Sequence, residues 1–237
     1  MDILTATTPR PTTDRPLRGI TVLLVEDSRL TSEAMRLLCS RSGARLLRAD
    51  SLASARRHLR VYRPACVIVD LGLPDGSGTD LISDLATAQP RIDILLGMSG
   101  DPWAEGVALA AGADGFLTKP LSSLAFFQDA ILSRLPPERR PRGPRRVSIA
   151  PVVPDAAAYH DDLARASHLL AHKDAGADTR YIGQFLGSVA ASAGDRPLAE
   201  AAAELVPQTN GSRQAVLARL RSLLHERLRD GPHQPPA

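Results

Sequence analysis

Lysine is almost missing from this 237-residue chain: Lys119 and Lys173 are the only two among 29 Lys and Arg residues. A basic complement built on arginine points to a GC-rich genome. A lysine kept within that bias marks a position needing a compact ammonium rather than a planar fork, a stronger suggestion for Lys119 than for Lys173. Aromatic residues are also scarce, at 3%, so the core that a 43% hydrophobic content can build must be aliphatic and alanine-rich. Cysteine occurs twice, at Cys39 and Cys66, both inside apolar patterns, which reads as two buried thiols in a reducing cytoplasm. No apolar run is long enough to span a bilayer, so no membrane partner is expected. Met1 to Arg18 is rich in Thr, Pro and Arg and lacks the apolar core of a secretory signal; it reads as a disordered lead-in. The formal charge of +3 is mild, and the length suits one large domain or two small ones.

What is present is organised around Cys66-Val67-Ile68-Val69-Asp70. This short apolar run is expected of a central strand buried on both faces of a parallel sheet, and it ends abruptly in a carboxylate. Leu73-Pro74-Asp75-Gly76-Ser77-Gly78 must then be a loop. Ligands of open parallel sheets bind at the carboxyl ends of strands, which places Asp70 in a site. Four more strands are expected: Ile20 to Val25, Arg45 to Ala49, Ile92 to Met98 and Gly115 to Thr118. Helices are expected between and after them, from Ser28 to a stop at Gly43, over Ser51 to Tyr62, Thr79 to Ala88, Pro102 to Ala111 and Leu121 to Leu135. Five alternations of strand and helix predict an α/β fold with a parallel sheet and right-handed crossovers.

The strand ends carry chemistry. Glu26 and Asp27 follow the first strand, Asp70 ends the third, Ser99 the fourth, and Lys119 follows the fifth. All lie on one edge of the sheet and should converge. Three carboxylates in one cleft repel one another unless a cation sits among them, and hard oxygen ligands of this kind suit Mg²⁺. With a hydroxyl from Ser99 and an ammonium from Lys119, the set could hold a phosphoryl group. The attacking atom would be a carboxylate oxygen of Asp70, making an acyl phosphate.

These residues resemble the receiver domain of two-component response regulators. The matching elements are Val25-Glu26-Asp27, Val69-Asp70 with Leu73-Pro74-Asp75-Gly76, Ser99-Gly100 and Lys119-Pro120, and the resemblance covers Gly19 to about Leu135. It implies a flavodoxin-like five-stranded parallel sheet of strand order 2-1-3-4-5. It further implies Asp70 as phosphoacceptor, Glu26 and Asp27 as the acidic pair that binds the metal, and a backbone carbonyl ligand from Gly72. Ser99 would be the hydroxyl that moves toward the phosphoryl group, Phe116 the aromatic that swings inward with it, and Lys119 the partner of the phosphoryl oxygens. Pro120 would follow a cis bond. The implied donor is a sensor histidine kinase or a phosphotransfer protein, and the implied role is signalling in the cytoplasm rather than enzymatic turnover. Two departures, Glu for Asp at 26 and Gly at 100 where Ala is common, leave that chemistry intact.

Residues 136–154 are rich in Pro and Arg and read as a linker, more as a self-repelling solvated tether than as a contact to nucleic acid or to an acidic surface. Residues 155–237 read as a small all-α domain. Its helices are expected over Ala156 to His172, from Asp178 or Thr179 to Gly194, over Pro197 to Leu205, and from Asn210 or Ser212 onward. The apolar, leucine-rich stripe Val216, Leu217, Leu220, Leu223, Leu224 and Leu228 fits a coiled-coil seam in a homodimer or, the preferred reading, the lid of a small bundle. A helix-turn-helix over Val189 to Leu205 would present Glu200 and Glu204 and no Arg, Lys, Asn or Gln to base edges. A downstream protein is therefore a better expected partner than DNA. His160, His168 and His172 lack the accompanying ligands of a metal site and read as helix-surface residues.

Overall fold

The structure, a computed structural model, describes residues 10–101, 103–145, 150–172, 179–205 and 210–229. The expectations for Met1 to Pro9, Arg146, Lys173, a cap at Asp178 and a stop at Pro207 lie outside these residues. So do the side chains of His172, Asn210 and Ser212.

The first half alternates as its pattern predicts. Strands β1 (Thr21–Val25), β2 (Arg45–Ala49), β3 (Cys66–Asp70), β6 (Ile94–Ser99) and β7 (Gly115–Thr118) form one parallel sheet in the order β2-β1-β3-β6-β7. This is the flavodoxin-like arrangement. A two-stranded hairpin, β4 (Gly72–Leu73) with β5 (Gly76–Ser77), occupies the loop after Asp70. Helices α1 (Arg29–Ser42), α2 (Leu52–Val61), α3 (Gly78–Thr87), α4 (Ala104–Ala110) and α5 (Leu124–Leu132) follow the strands. The fourth strand and the fourth and fifth helices each start two or three residues later than expected. In α5 the cause is Ser123, whose side chain accepts the Phe126 N–H as N-cap.

Side chains alternate across the sheet. Val22, Leu24, Cys66, Ile68, Ile94 and Leu96 pack with Met35 and Leu38 of α1 and Phe127 and Ile131 of α5. Leu23, Val25, Val67, Val69 and Leu95 pack on the other face with Leu52, Leu81, Ile82 and Ala108 from α2, α3 and α4. Every residue of β3 is buried, as a central strand requires. Cys39 and Cys66 are both free and buried in the first of these layers, and burial pushes the Cys39 thiol up to about 12.

The second half is α6 (Ala156–His172), α7 (Thr179–Ala193), α8 (Arg196–Leu205) and α9 (Asn210–Arg229). They share one core that includes Tyr159, Leu163, Ile182, Phe185, Leu186, Val189, Leu198, Ala202, Leu220 and Leu224. The leucine stripe of α9 is therefore consumed within one chain, the bundle arrangement, although Leu228 at its end is only half-buried. Asp195 lies in the short turn between α7 and α8. Its buried carboxylate accepts the Leu198 N–H, capping α8, and also accepts from Tyr159 (2.8 Å) and Arg227 (2.9 Å).

The linker is not a free tether. Arg139 pairs with Asp93, Arg140 donates to the carbonyls of Leu135 and Ser133, and Arg145 pairs with Asp129. Val152 is buried in the first-half core, and its N–H donates to the Ser122 carbonyl. The arginines find carboxylates and free carbonyls on the α/β half, which offsets the self-repulsion that a tether reading relies on.

Candidate functional site

The strand ends converge. One carboxylate oxygen from each of Glu26, Asp27 and Asp70 lies within 4.8 Å of the others. Lys119 Nζ sits 2.7 Å from Glu26 Oε2 and 3.2 Å from Asp70 Oδ2. All four side chains are buried. The geometry follows from the sheet: β1, β3 and β7 are parallel, so residues just past their ends share one edge. The backbone locks the cluster further. The Ser28 N–H donates to Glu26 Oε1, and the Lys119 N–H donates to the Ser99 carbonyl at 2.9 Å. The Lys119–Pro120 bond is cis.

Burial raises the Asp70 carboxyl to about 7 despite Lys119, with Glu26 and Asp27 adding to the rise. Burial, then Glu26, raises Asp27 to about 6. Burial works against the Lys119 ammonium, but Asp70 and Glu26 more than offset it and hold the group above its ordinary value. The site thus carries more negative charge than Lys119 neutralises. Asp27 Oδ1 is buried with no hydrogen-bond partner among the described residues, and such an oxygen needs a cation or donor. An all-oxygen donor set with an orphaned carboxylate oxygen fits Mg²⁺. Asp27, Asp70 and Glu26 would hold it.

The remaining expected residues flank this cluster. Gly72, half-buried, opens the β4–β5 hairpin two residues after Asp70. Ser99 ends β6 half-buried, and its hydroxyl accepts the Asp101 N–H at 3.1 Å. Phe116 is buried in the core beside Gly97 and Ala108. Gly78 is a further requirement: a Cβ there would stand 2.0 Å from the Asp70 carbonyl oxygen. Gly78→Ala is expected to push the acceptor loop away from β3 and to cost about 1–3 kcal/mol, read as a lowered midpoint in thermal or urea denaturation.

Residues from the helical half complete the surroundings, and their roles were not legible in the sequence. Arg165 of α6 pairs with Asp27 Oδ2 at 3.1 Å and donates to the Asp27 carbonyl at 2.6 Å. Tyr181 of α7 donates its hydroxyl to Asp27 Oδ2. Asp162 of α6 is fully buried. It accepts from Ser28 Oγ (2.8 Å) and from the N–H groups of Arg29 (2.8 Å) and Leu30 (3.0 Å), at the N-terminus of α1. That is a carboxylate where helix N–H groups lack internal partners. In sequence Tyr181 reads only as an inward-facing apolar position, and Arg165 and Asp162 only as charges on an amphipathic helix.

The family model of the response regulator receiver domain matches residues 22–130. The chain is 34% identical over 99 residues to the KDP operon transcriptional regulatory protein KdpE of Escherichia coli strain K12, covering 42% of this chain and 44% of that protein. It is 35% identical over 114 residues to the transcriptional regulatory protein KdpE of Mycobacterium tuberculosis, covering 48% of each. The chain thus spans less than half the length of these curated relatives. Among solved structures, a response regulator receiver domain (CheY-like) from Methylobacillus flagellatus is 24% identical, with a TM-score of 0.44, covering 49% of this chain and 98% of that one. With Glu26, Asp27, Asp70 and Lys119 gathered at one edge of a β2-β1-β3-β6-β7 sheet, residues 22–130 are a response regulator receiver domain.

Proposed function

We propose that this chain is a phosphoacceptor in a two-component phosphorelay, taking a phosphoryl group on Asp70 and signalling through its helical half to a downstream protein. The observation that carries this is the Lys119 ammonium bridging Glu26 and Asp70 inside a buried acid cluster. The donor is the phosphohistidine of a sensor kinase or phosphotransfer protein. An Asp70 oxygen attacks phosphorus, the P–N bond breaks, and the imidazole nitrogen leaves with its electron pair. Lys119 faces the developing charge on the phosphoryl oxygens, and Ser99 supplies a hydroxyl to one of them. Bound Mg²⁺ would neutralise charge on acceptor and phosphoryl oxygens together. The chain accepts and holds a group rather than turning over a substrate, and we place it in the cytoplasm with its donor.

The test uses acetyl phosphate and Mg²⁺ as a small donor. Wild type should acquire an acid-stable, base-labile phosphoryl group, and Asp70→Asn should acquire none. Equal labelling of the two proteins would overturn the assignment.

A second reading, phosphorylation-controlled DNA binding, is favoured by the names of the relatives, which are transcriptional regulatory proteins. Against it, α8 buries Leu198, Ala201, Ala202 and Leu205 and exposes Glu200 and Glu204, which repel phosphate. No sequence-specific mobility shift of a duplex is expected from the full chain, phosphorylated or not. A specific footprint would establish the second reading instead.

A further inference from the structure

We propose that the helical half is a built-in occupant of the receiver's phosphorylation cleft, competing with both the metal and the phosphodonor, so that it must withdraw before Asp70 is loaded. The proposal rests on the phosphoacceptor reading of that cleft.

Four contacts place the helices over the site. Arg165 brings a positive charge to within 3.1 Å of Asp27 Oδ2, on the acidic pair that a divalent cation needs. The Tyr181 hydroxyl donates to that same oxygen and also accepts from Arg165 at 3.1 Å, so one carboxylate oxygen is taken by two donors. Further along α7, Gln184 Oε1 lies 3.8 Å from the Cβ position at Gly72, and Ser188 lies 3.7 Å from that at Gly100. Gly72 follows the acceptor and Gly100 follows the switch serine, so α7 lies across the mouth through which a donor reaches Asp70. Both distances are those of ordinary van der Waals contact, so α7 lies directly against the two loops. Asp70 itself is 6% exposed.

The docking is built, not incidental. Arg165 is held over the Phe185 ring, 5.2 Å from its centroid, which aims the guanidinium at Asp27. Asp162 anchors α6 to the α1 N-terminus through three hydrogen bonds, and Leu30 of α1 is buried in the helical core. An open groove of about 940 Å³ leads to Glu26 and Asp27 between α1 and α6. Asp70 is not among its lining residues. A small cation therefore has a route to the acidic pair, whereas a protein bearing phosphohistidine meets α7.

A guanidinium and a divalent cation on one carboxylate repel each other, so metal binding and docking weaken one another reciprocally. Arg165→Gln and Tyr181→Phe each remove one helical-half group from Asp27 without touching Asp70 or Lys119. Mg²⁺ affinity of the full-length proteins, measured by calorimetry, is expected to tighten about tenfold in the double variant. Acetyl phosphate labelling should accelerate in step. Asp162→Ala releases α6 beside the acid cluster, where Asp162 holds Ser28 and the α1 N-terminus and not Asp27 itself, and should act in the same direction, with far-UV circular dichroism checking that the helices persist. Amide exchange gives a further readout: in wild type, adding Mg²⁺ and acetyl phosphate should speed exchange at Arg29 and Leu30, whose N–H groups Asp162 protects. Unchanged or weaker Mg²⁺ binding in the double variant would overturn the proposal, since Arg165 and Tyr181 would then be supporting the metal site. Tighter Mg²⁺ binding with no labelling of any protein would leave the lid standing and overturn the phosphoacceptor reading.

Discussion

Asp195→Ala is expected to unfold the helical half while the receiver sheet stays folded. Asp195 is fully buried and serves three elements at once. It caps α8 through the Leu198 N–H, accepts the Tyr159 hydroxyl from α6, and pairs with Arg227 of α9 through Nε at 2.9 Å. Removing the carboxylate leaves a buried hydroxyl without an acceptor and a largely buried guanidinium with only the exposed Glu226 carboxylate beside it. Breaking a buried pair in this way costs about 3–5 kcal/mol. That is comparable to the whole stability of a small bundle of four short helices. Helical signal in circular dichroism should fall, and Asp195→Asn, which keeps the shape and one acceptor, should fall less. The same carboxylate sets an acid limit. Burial opposes its ionised form, but hydrogen bonds from Arg227 and Tyr159 more than offset this and hold it below its ordinary 3.8. A carboxyl lowered on folding stabilises the fold above its unfolded pKa, and that stabilisation is lost as the pH falls through the folded pKa. The helical half should therefore lose this anchor only below pH 3.8. An Asp195→Ala protein with wild-type melting behaviour would remove Asp195 from this role.

Leu224→Ala is expected to cost about 2–5 kcal/mol, the range for a buried leucine truncated to alanine. Leu224 is 1% exposed within a single chain, so the loss should appear as an unfolded helical half and not as a halved mass in light scattering. The receiver should remain folded, because among the described residues its two core layers draw on the helical half for no buried apolar residue. Its phosphorylation should change in a direction that a simple tether would not produce. With α6 and α7 disordered, Arg165 and Tyr181 no longer hold Asp27, and labelling by acetyl phosphate should be faster than in wild type. Slower labelling together with an intact receiver would mean that the helical half assists the reaction.

The receiver fold was legible because its information is local. Each strand is a short apolar run on its own. The carboxylates and the lysine stand just past the strand ends, where parallel topology brings them together without help from any side chain. Glu26, Asp27, Asp70 and Lys119 could therefore be placed in one cluster from spacing alone. Gly43 was legible as the stop of α1 for a similar reason: its left-handed φ of 80° is a single-residue property. Leu220 and Leu224 were legible as buried, but the same stripe suits a seam between two chains. Only the packing of α9 against α6 and α8 decides for the bundle.

The relation between the two halves was not legible. Arg139, Arg140 and Arg145 read in sequence more as a repelled, solvated linker than as a contact to an acidic surface, because their partners Asp93, Leu135, Ser133 and Asp129 are supplied by the folded receiver half. Asp162 and Arg165 are ordinary polar residues of an amphipathic helix until α6 is laid against α1. What the sequence by itself determined is the receiver, the gathering of its strand-end carboxylates and lysine, and the helical character of the second half, since hydrophobic period and strand-end residues are properties of contiguous segments. What only the tertiary structure decided is that Arg165 and Tyr181 meet Asp27 across more than 130 residues of chain. Such a contact depends on how two separately formed surfaces fit, and no periodicity in either segment encodes it.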